Sequence, residues 1–141
     1  MLARYMLKLL VGIGALVATA ISAYAHGAVA TGGITDGSPY GSAYGISYGW
    51  ATKAKADAKA LEECEKHRGK LGSPCEIVAD YARAWASVAI DPKGGTPGFG
   101  WAVESDKKTV EARALFRCRA TSPEDRKPFC AVSATFQDRK P

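Results

Sequence analysis

Four cysteines, Cys64, Cys75, Cys118 and Cys130, have the strongest chemical claim in this 141-residue chain. They could clip a metal, cycle as a redox couple or staple the fold. A zinc site asks for paired ligands at C-x-x-C-like spacing. Here the intervals are 11 and 12, and only His67 lies near either pair. A thioredoxin-like couple needs C-x-x-C, which is absent. An even cysteine count in an exported chain favours disulfides, and four cysteines allow three connectivities.

Other reactive groups are few. His26 and His67 are the only histidines, and His67 falls in the polar run "EKHRGK". Ser47, Ser87 and Ser133 fall in predicted strands without a nucleophile-elbow pattern. Asp57 and Glu111 are carboxylates that could do acid/base chemistry, yet both sit in charged helical runs where Lys or Arg lies one turn away. With both cysteine pairs oxidised no thiol remains as a nucleophile, so the sequence predicts no catalytic residue. The glycine-rich stretches "GGITDGSPYGSAYG" and "PKGGTPGFG" lack G-x-G-x-x-G between strand and helix and lack G-K-[ST]; no cofactor or metal is expected. The aromatics offer a different chemistry. Tyr48, Trp50, Trp85 and Trp101 in predicted strands are the candidate binding surface, because Tyr and Trp are favoured at interfaces.

The elements that must position these groups begin after residue 25. Residues 1–25 carry Arg4 and Lys8, an apolar stretch from Leu9 to Ile21, and Ala23-Tyr24-Ala25, the pattern of a signal peptide with an A-x-A site. An uncleaved anchor is the alternative, but the stretch is shorter than the roughly 20 residues a membrane helix needs. Cleavage leaves a single domain, residues 26–141, with no later membrane span, in a bacterial periplasm or outside the cell. The net charge is +5, and removing Arg4 and Lys8 leaves +3. That excess permits contact with anionic envelope polymers but lacks the clustered stripe of a nucleic-acid binder.

The second half of the chain echoes the first. "YGISYGWATKAKADAKALEEC" from Tyr44 aligns with "FGWAVESDKKTVEARALFRC" from Phe99, "CEIVADY" with "CAVSATF", and "GAVAT" with "ASVAI". A duplicated unit is the economical explanation, with units over about 26–83 and 84–137. Each unit reads strand, strand, helix, strand. The alternating β-branched and aromatic runs give the strands, and the Ala/Leu/Lys/Glu/Arg-rich runs from Thr52 and from Ser105 give the helices. Thr52 and either Ser105 or Asp106 cap their starts. The expected fold is α+β, a mainly antiparallel sheet with two helices on one face, stapled by disulfides. Each helix ends on a cysteine and the next strand begins on one. The expected bridges are therefore Cys64–Cys75 and Cys118–Cys130.

The Tyr-Gly strand, the A-L-x-x-C helix end, the "CEIV" strand and their repetition as "GFGWAVES", "ARALFRC" and "CAVS" resemble the bacterial domain-of-unknown-function family 4189, from about Gly27 to Phe136. The chain departs by lacking a further cysteine in "YARAWASVA", which puts a third bridge out of reach. The resemblance implies fold and export rather than an activity. The expected function is non-enzymatic binding of a protein or envelope component through an exposed sheet face and loops. A small envelope hydrolase using Asp57 or Glu111 with His67, and a secreted effector or immunity-type inhibitor, are the alternatives.

Overall fold

The structure, a computed structural model, describes residues 25–33, 43–69, 72–93 and 96–138. The signal segment, apart from Ala25, and most of the first glycine-rich loop lie outside the described residues.

In the first unit β1 (His26–Gly32) and β2 (Ala43–Trp50) precede α1 (Lys53–His67) and β3 (Glu76–Tyr81). In the second, β4 (Trp85–Ile90) and β5 (Phe99–Glu104) precede α2 (Lys107–Thr121), a 3-10 helix over Glu124–Phe129 and β6 (Ala131–Gln137). The strand–strand–helix–strand order is thus present twice. Each unit forms its own antiparallel three-stranded sheet, ordered β2-β1-β3 and β5-β4-β6, so the first strand of each unit is central. A register irregularity falls between Val29 and Ala30 in the first sheet and between Val88 and Ala89 in the second, the same place in both units.

Helix starts follow from capping. The Thr52 hydroxyl accepts from Lys55 N, and the Asp106 carboxylate accepts from Thr109 N at 2.7 Å, each satisfying a donor that the first turn leaves unpaired. Both helices end alike, with Arg68 N donating to Cys64 O and Ser122 N to Cys118 O.

Strand alternation distributes the core into three layers of contact. Ala28, Ala30 and Ala43 meet Ala56, Ala60 and Cys64 of α1. Ala89 and Ala102 meet Val110, Ala114 and Cys118 of α2. The opposite faces of the two sheets, with Val29 and Tyr81 from one and Ala86, Val88 and Phe99 from the other, bury each other. The domain is therefore stacked helix, sheet, sheet, helix.

Both helix–sheet layers are built from small residues, which bring backbones close. A Cβ on Gly45 would lie 2.0 Å from Ala60 O, and one on Gly100 would lie 2.3 Å from Ala114 O. Small side chains remove little apolar area, so covalent closure adds what the area does not. The bridges are Cys64–Cys75 and Cys118–Cys130, with Cα–Cα separations of 6.1 and 6.0 Å. In the second unit an ion pair also holds the return loop: buried Asp91 accepts from Arg126 Nε at 2.8 Å and from Nη2 at 2.5 Å. The Arg126 guanidinium holds this carboxyl well below the usual carboxylate range.

Candidate functional site

The stacking order decides where the candidate aromatics go. With a helix on one side of each sheet and the other sheet on its opposite side, neither sheet leaves a whole face open, and the four residues do not share one surface. Trp50 packs on the alanine layer under α1. Trp85 packs under α2, with Lys107 Nζ 5.8 Å from its ring centroid. Trp101 joins the layer between the sheets, with the Arg117 guanidinium 5.1 Å from its ring. Tyr48 is the most open of the four, 49% exposed, and stacks on Phe136 at 4.6 Å with 15° between planes.

The Tyr48–Phe136 stack marks where β2 of the first unit crosses β6 of the second. The same crossing carries a hydroxyl pair, Tyr44 Oη and Ser133 Oγ at 2.6 Å, and a hydrogen bond from Gly49 N to Asp138. Tyr44 also meets Phe99, its counterpart in the second unit, at 6.4 Å. Between these contacts the edges leave a cleft. One part, about 490 Å³, is lined by Tyr44, Ile46, Ile90 and Phe136 with Glu63 and His67 at its rim. A second part, about 440 Å³, is lined by Ile46, Tyr48, Trp50 and Phe136 with Lys59 and Glu63. Ile46, Glu63 and Phe136 line both, so the two form one groove. Of the four candidate residues, the groove gathers Tyr48 and Trp50.

The electrostatics of the rim come from α1. Glu63 lies 2.7 Å from both Lys59 and Lys66. Hydrogen bonds from Lys59 first and Lys66 second hold its carboxyl down at about 2. Glu63 is therefore a fixed anion between two cations. An apolar, aromatic floor with a few oriented polar groups, at this volume, is the usual composition of a ligand cleft.

The sequence-proposed reactive groups are kept apart. Asp57 and His67 lie ten positions apart on α1, about 15 Å at 1.5 Å per residue. Glu111 lies on α2, in the outer layer on the opposite side of the molecule. Asp57 is paired instead with Lys53 at 2.7 Å, and Lys53 also reaches Asp80 at 2.6 Å. Ser47 is structural, accepting from Ala28 N and donating to Ala56 O at 2.7 Å. Ser87 donates to Ala134 O. Among the described residues no group of three or more His, Cys, Asp and Glu side chains is placed to hold a metal.

Sequence reasoning missed Ile46, Glu63 and Phe136 as groove residues. Glu63 had a readable signal, since it lies one turn before His67 on the same helical face. The other two depend on which strand edge crosses which.

Fold and groove define a class first: a small disulfide-stapled α+β domain of four layers with a cleft where its two units cross. The chain belongs to the family described as domain of unknown function DUF4189, whose model matches residues 26–136. No curated protein and no solved structure matches it. No helix among the described residues is long and apolar enough to cross a membrane.

Proposed function

We propose that this chain is a non-enzymatic binding domain, exported to an oxidising compartment, which engages a protein or envelope component through the groove between β2 and β6. The observation that carries the reading is the half-exposed Tyr48–Phe136 stack at the mouth of a cleft floored by Ile46 and Trp50. An aromatic pair left open to water beside fixed charges suits a ligand with an apolar or planar group, since binding energy concentrates at such anchors. The two disulfides support export, because such bonds persist where the compartment is oxidising. The test is affinity capture from native envelope extract, followed by protection mapping on the captured complex. Tyr48→Ala should weaken capture by about 30-fold, the effect of a residue contributing roughly 2 kcal/mol. Trp85→Ala, whose ring lies under α2, should leave affinity unchanged wherever the variant stays folded. Protection elsewhere, with Tyr48→Ala binding as tightly as the parent, would overturn the groove as the site.

A further inference from the structure

The two units share an element order and a strand order, so each helix serves as the control for the other. On its outer face α1 carries a closed ladder in which Glu62 and Glu63 each pair with both Lys59 and Lys66. At the position matching Glu62, α2 carries Phe116, which is 71% exposed. The charge differs as well. Acids and bases balance along α1, whereas α2 sets five basic residues, Lys107, Lys108, Arg113, Arg117 and Arg119, against the single acid Glu111.

We propose that the outer face of α2 docks this domain on an anionic lipid surface, independently of the groove between β2 and β6. Phe116 stands beside a shallow hollow of about 430 Å³ shared with Lys108, Thr109, Ala112 and Arg113. Among the described residues neither Lys108 nor Arg119 forms a salt bridge, and the one acid whose charge Lys108 feels is the helix-capping Asp106. Two further exposed apolar side chains, Phe129 and Val132, belong to the same unit. Val132 pairs with Ala89, whose side chain is buried under α2, which places Val132 on the α2 side of the sheet. The pattern is one of single protruding apolar groups set among cations, with no deep pocket between them. A soft interface takes that pattern: the ring enters the headgroup and acyl boundary while Lys and Arg stay at the level of the phosphates.

The test uses exported protein with both disulfides intact, cosedimented with vesicles of phosphatidylcholine alone and of phosphatidylcholine mixed equally with phosphatidylglycerol. The protein should sediment with the anionic vesicles only, and high salt should release it as screening shortens the reach of the charges. Phe116→Ser should weaken partitioning by about tenfold, the loss of one inserted aromatic side chain. Lys108→Ala combined with Arg119→Ala should weaken it by about 25-fold, roughly fivefold per basic residue near such a surface. Glu62→Ala on α1 should change nothing. All four positions are exposed, and far-UV circular dichroism with thiol titration checks that each variant keeps its fold. Equal partitioning onto neutral vesicles, or a Phe116→Ser variant as membrane-active as the parent, would overturn the proposal. So would a Phe116 dependence seen only with a captured acidic protein and never with lipid.

Discussion

Gly45 and Gly100 set the distance between each helix and its sheet, and adding one methyl group tests that arrangement. In Gly45→Ala the new Cβ meets Ala60 O at 2.0 Å and Cys64 N at 2.6 Å; in Gly100→Ala it meets Ala114 O at 2.3 Å and Cys118 N at 2.4 Å. All four obstacles are backbone atoms of a helix, so no side chain can swing away. Ordinary contact needs about 3.5 Å, so the shortest contacts require α1 to lift by about 1.5 Å and α2 by about 1.2 Å. A gap of about 0.5–1 Å already forfeits a quarter to a half of the dispersion energy of each contact it opens, and these gaps forfeit more. The contacts beneath α1 belong to Ala28, Ala30, Ala43, Ala56, Ala60 and Cys64, all fully buried. We expect a loss of about 3 kcal/mol for either variant, at the upper end of overpacking costs. At roughly 4 °C per kcal/mol for a domain of this size, the melting temperature should fall by about 12 °C. Gly49→Ala is the control. Gly49 has φ of 75° and open space around the position of its missing Cβ, so the substitution brings left-handed backbone strain of about 1 kcal/mol and no collision. The assay is urea unfolding at fixed pH with disulfides oxidised. Gly45→Ala losing no more than Gly49→Ala would refute the argument that close helix–sheet approach holds the layers.

Replacing Cys64 and Cys75 by Ser, or Cys118 and Cys130, should each lower unfolding free energy by about 3 kcal/mol, because the closed loops span 11 and 12 residues and the chain-entropy model assigns such loops that value; urea unfolding measures it. Glu63 has a folded value near 2 against an ordinary 4.5. Its contribution is therefore present above pH 4.5 and lost as pH falls toward 2. Glu63→Gln should lower stability at neutral pH and flatten the acid limb of a stability-against-pH curve, the variant and parent curves converging as pH falls toward 2. Tyr81 donates from its hydroxyl to Ser47 O at 2.8 Å, and burial pushes its titration far above the ordinary tyrosine value. Tyr81→Phe should lower stability by about 1 kcal/mol in thermal unfolding, the net value of one such bond with its buried acceptor left unpaired.

Much of the fold was legible because local rules agreed with one another. Thr52 marked the start of α1, the alanine spacing marked the buried stripe of each helix, and a cysteine at each helix end with another before the following strand limited the pairings. Stacking of two sheets was less legible. Six alternating strands bury the same residues whether they continue one sheet or divide into two that cover each other. The candidate surface suffered from the same ambiguity. Strand parity says that Trp85 and Trp101 point to opposite sides of sheet two, but not that α2 covers one side and sheet one the other. Tyr48 and Trp50 reach the groove because β2 is an edge strand, and edges are set by pairing partners distant in sequence. The same reasoning hid Phe136, whose counterpart Tyr81 is buried in the layer between the sheets.

Tyr44 and Phe99 occupy matching positions and touch, while each disulfide closes within its own unit. The face that one unit offers the other therefore resembles the face it receives, and the only chain joining the two runs through Ala82, Arg83 and Ala84. Two molecules could trade whole units across that hinge without breaking a covalent bond, each rebuilding the same inter-sheet layer from a neighbour's half. Domain exchange at high concentration, and dimerisation of either unit expressed alone, are the assembly errors to which this architecture is open.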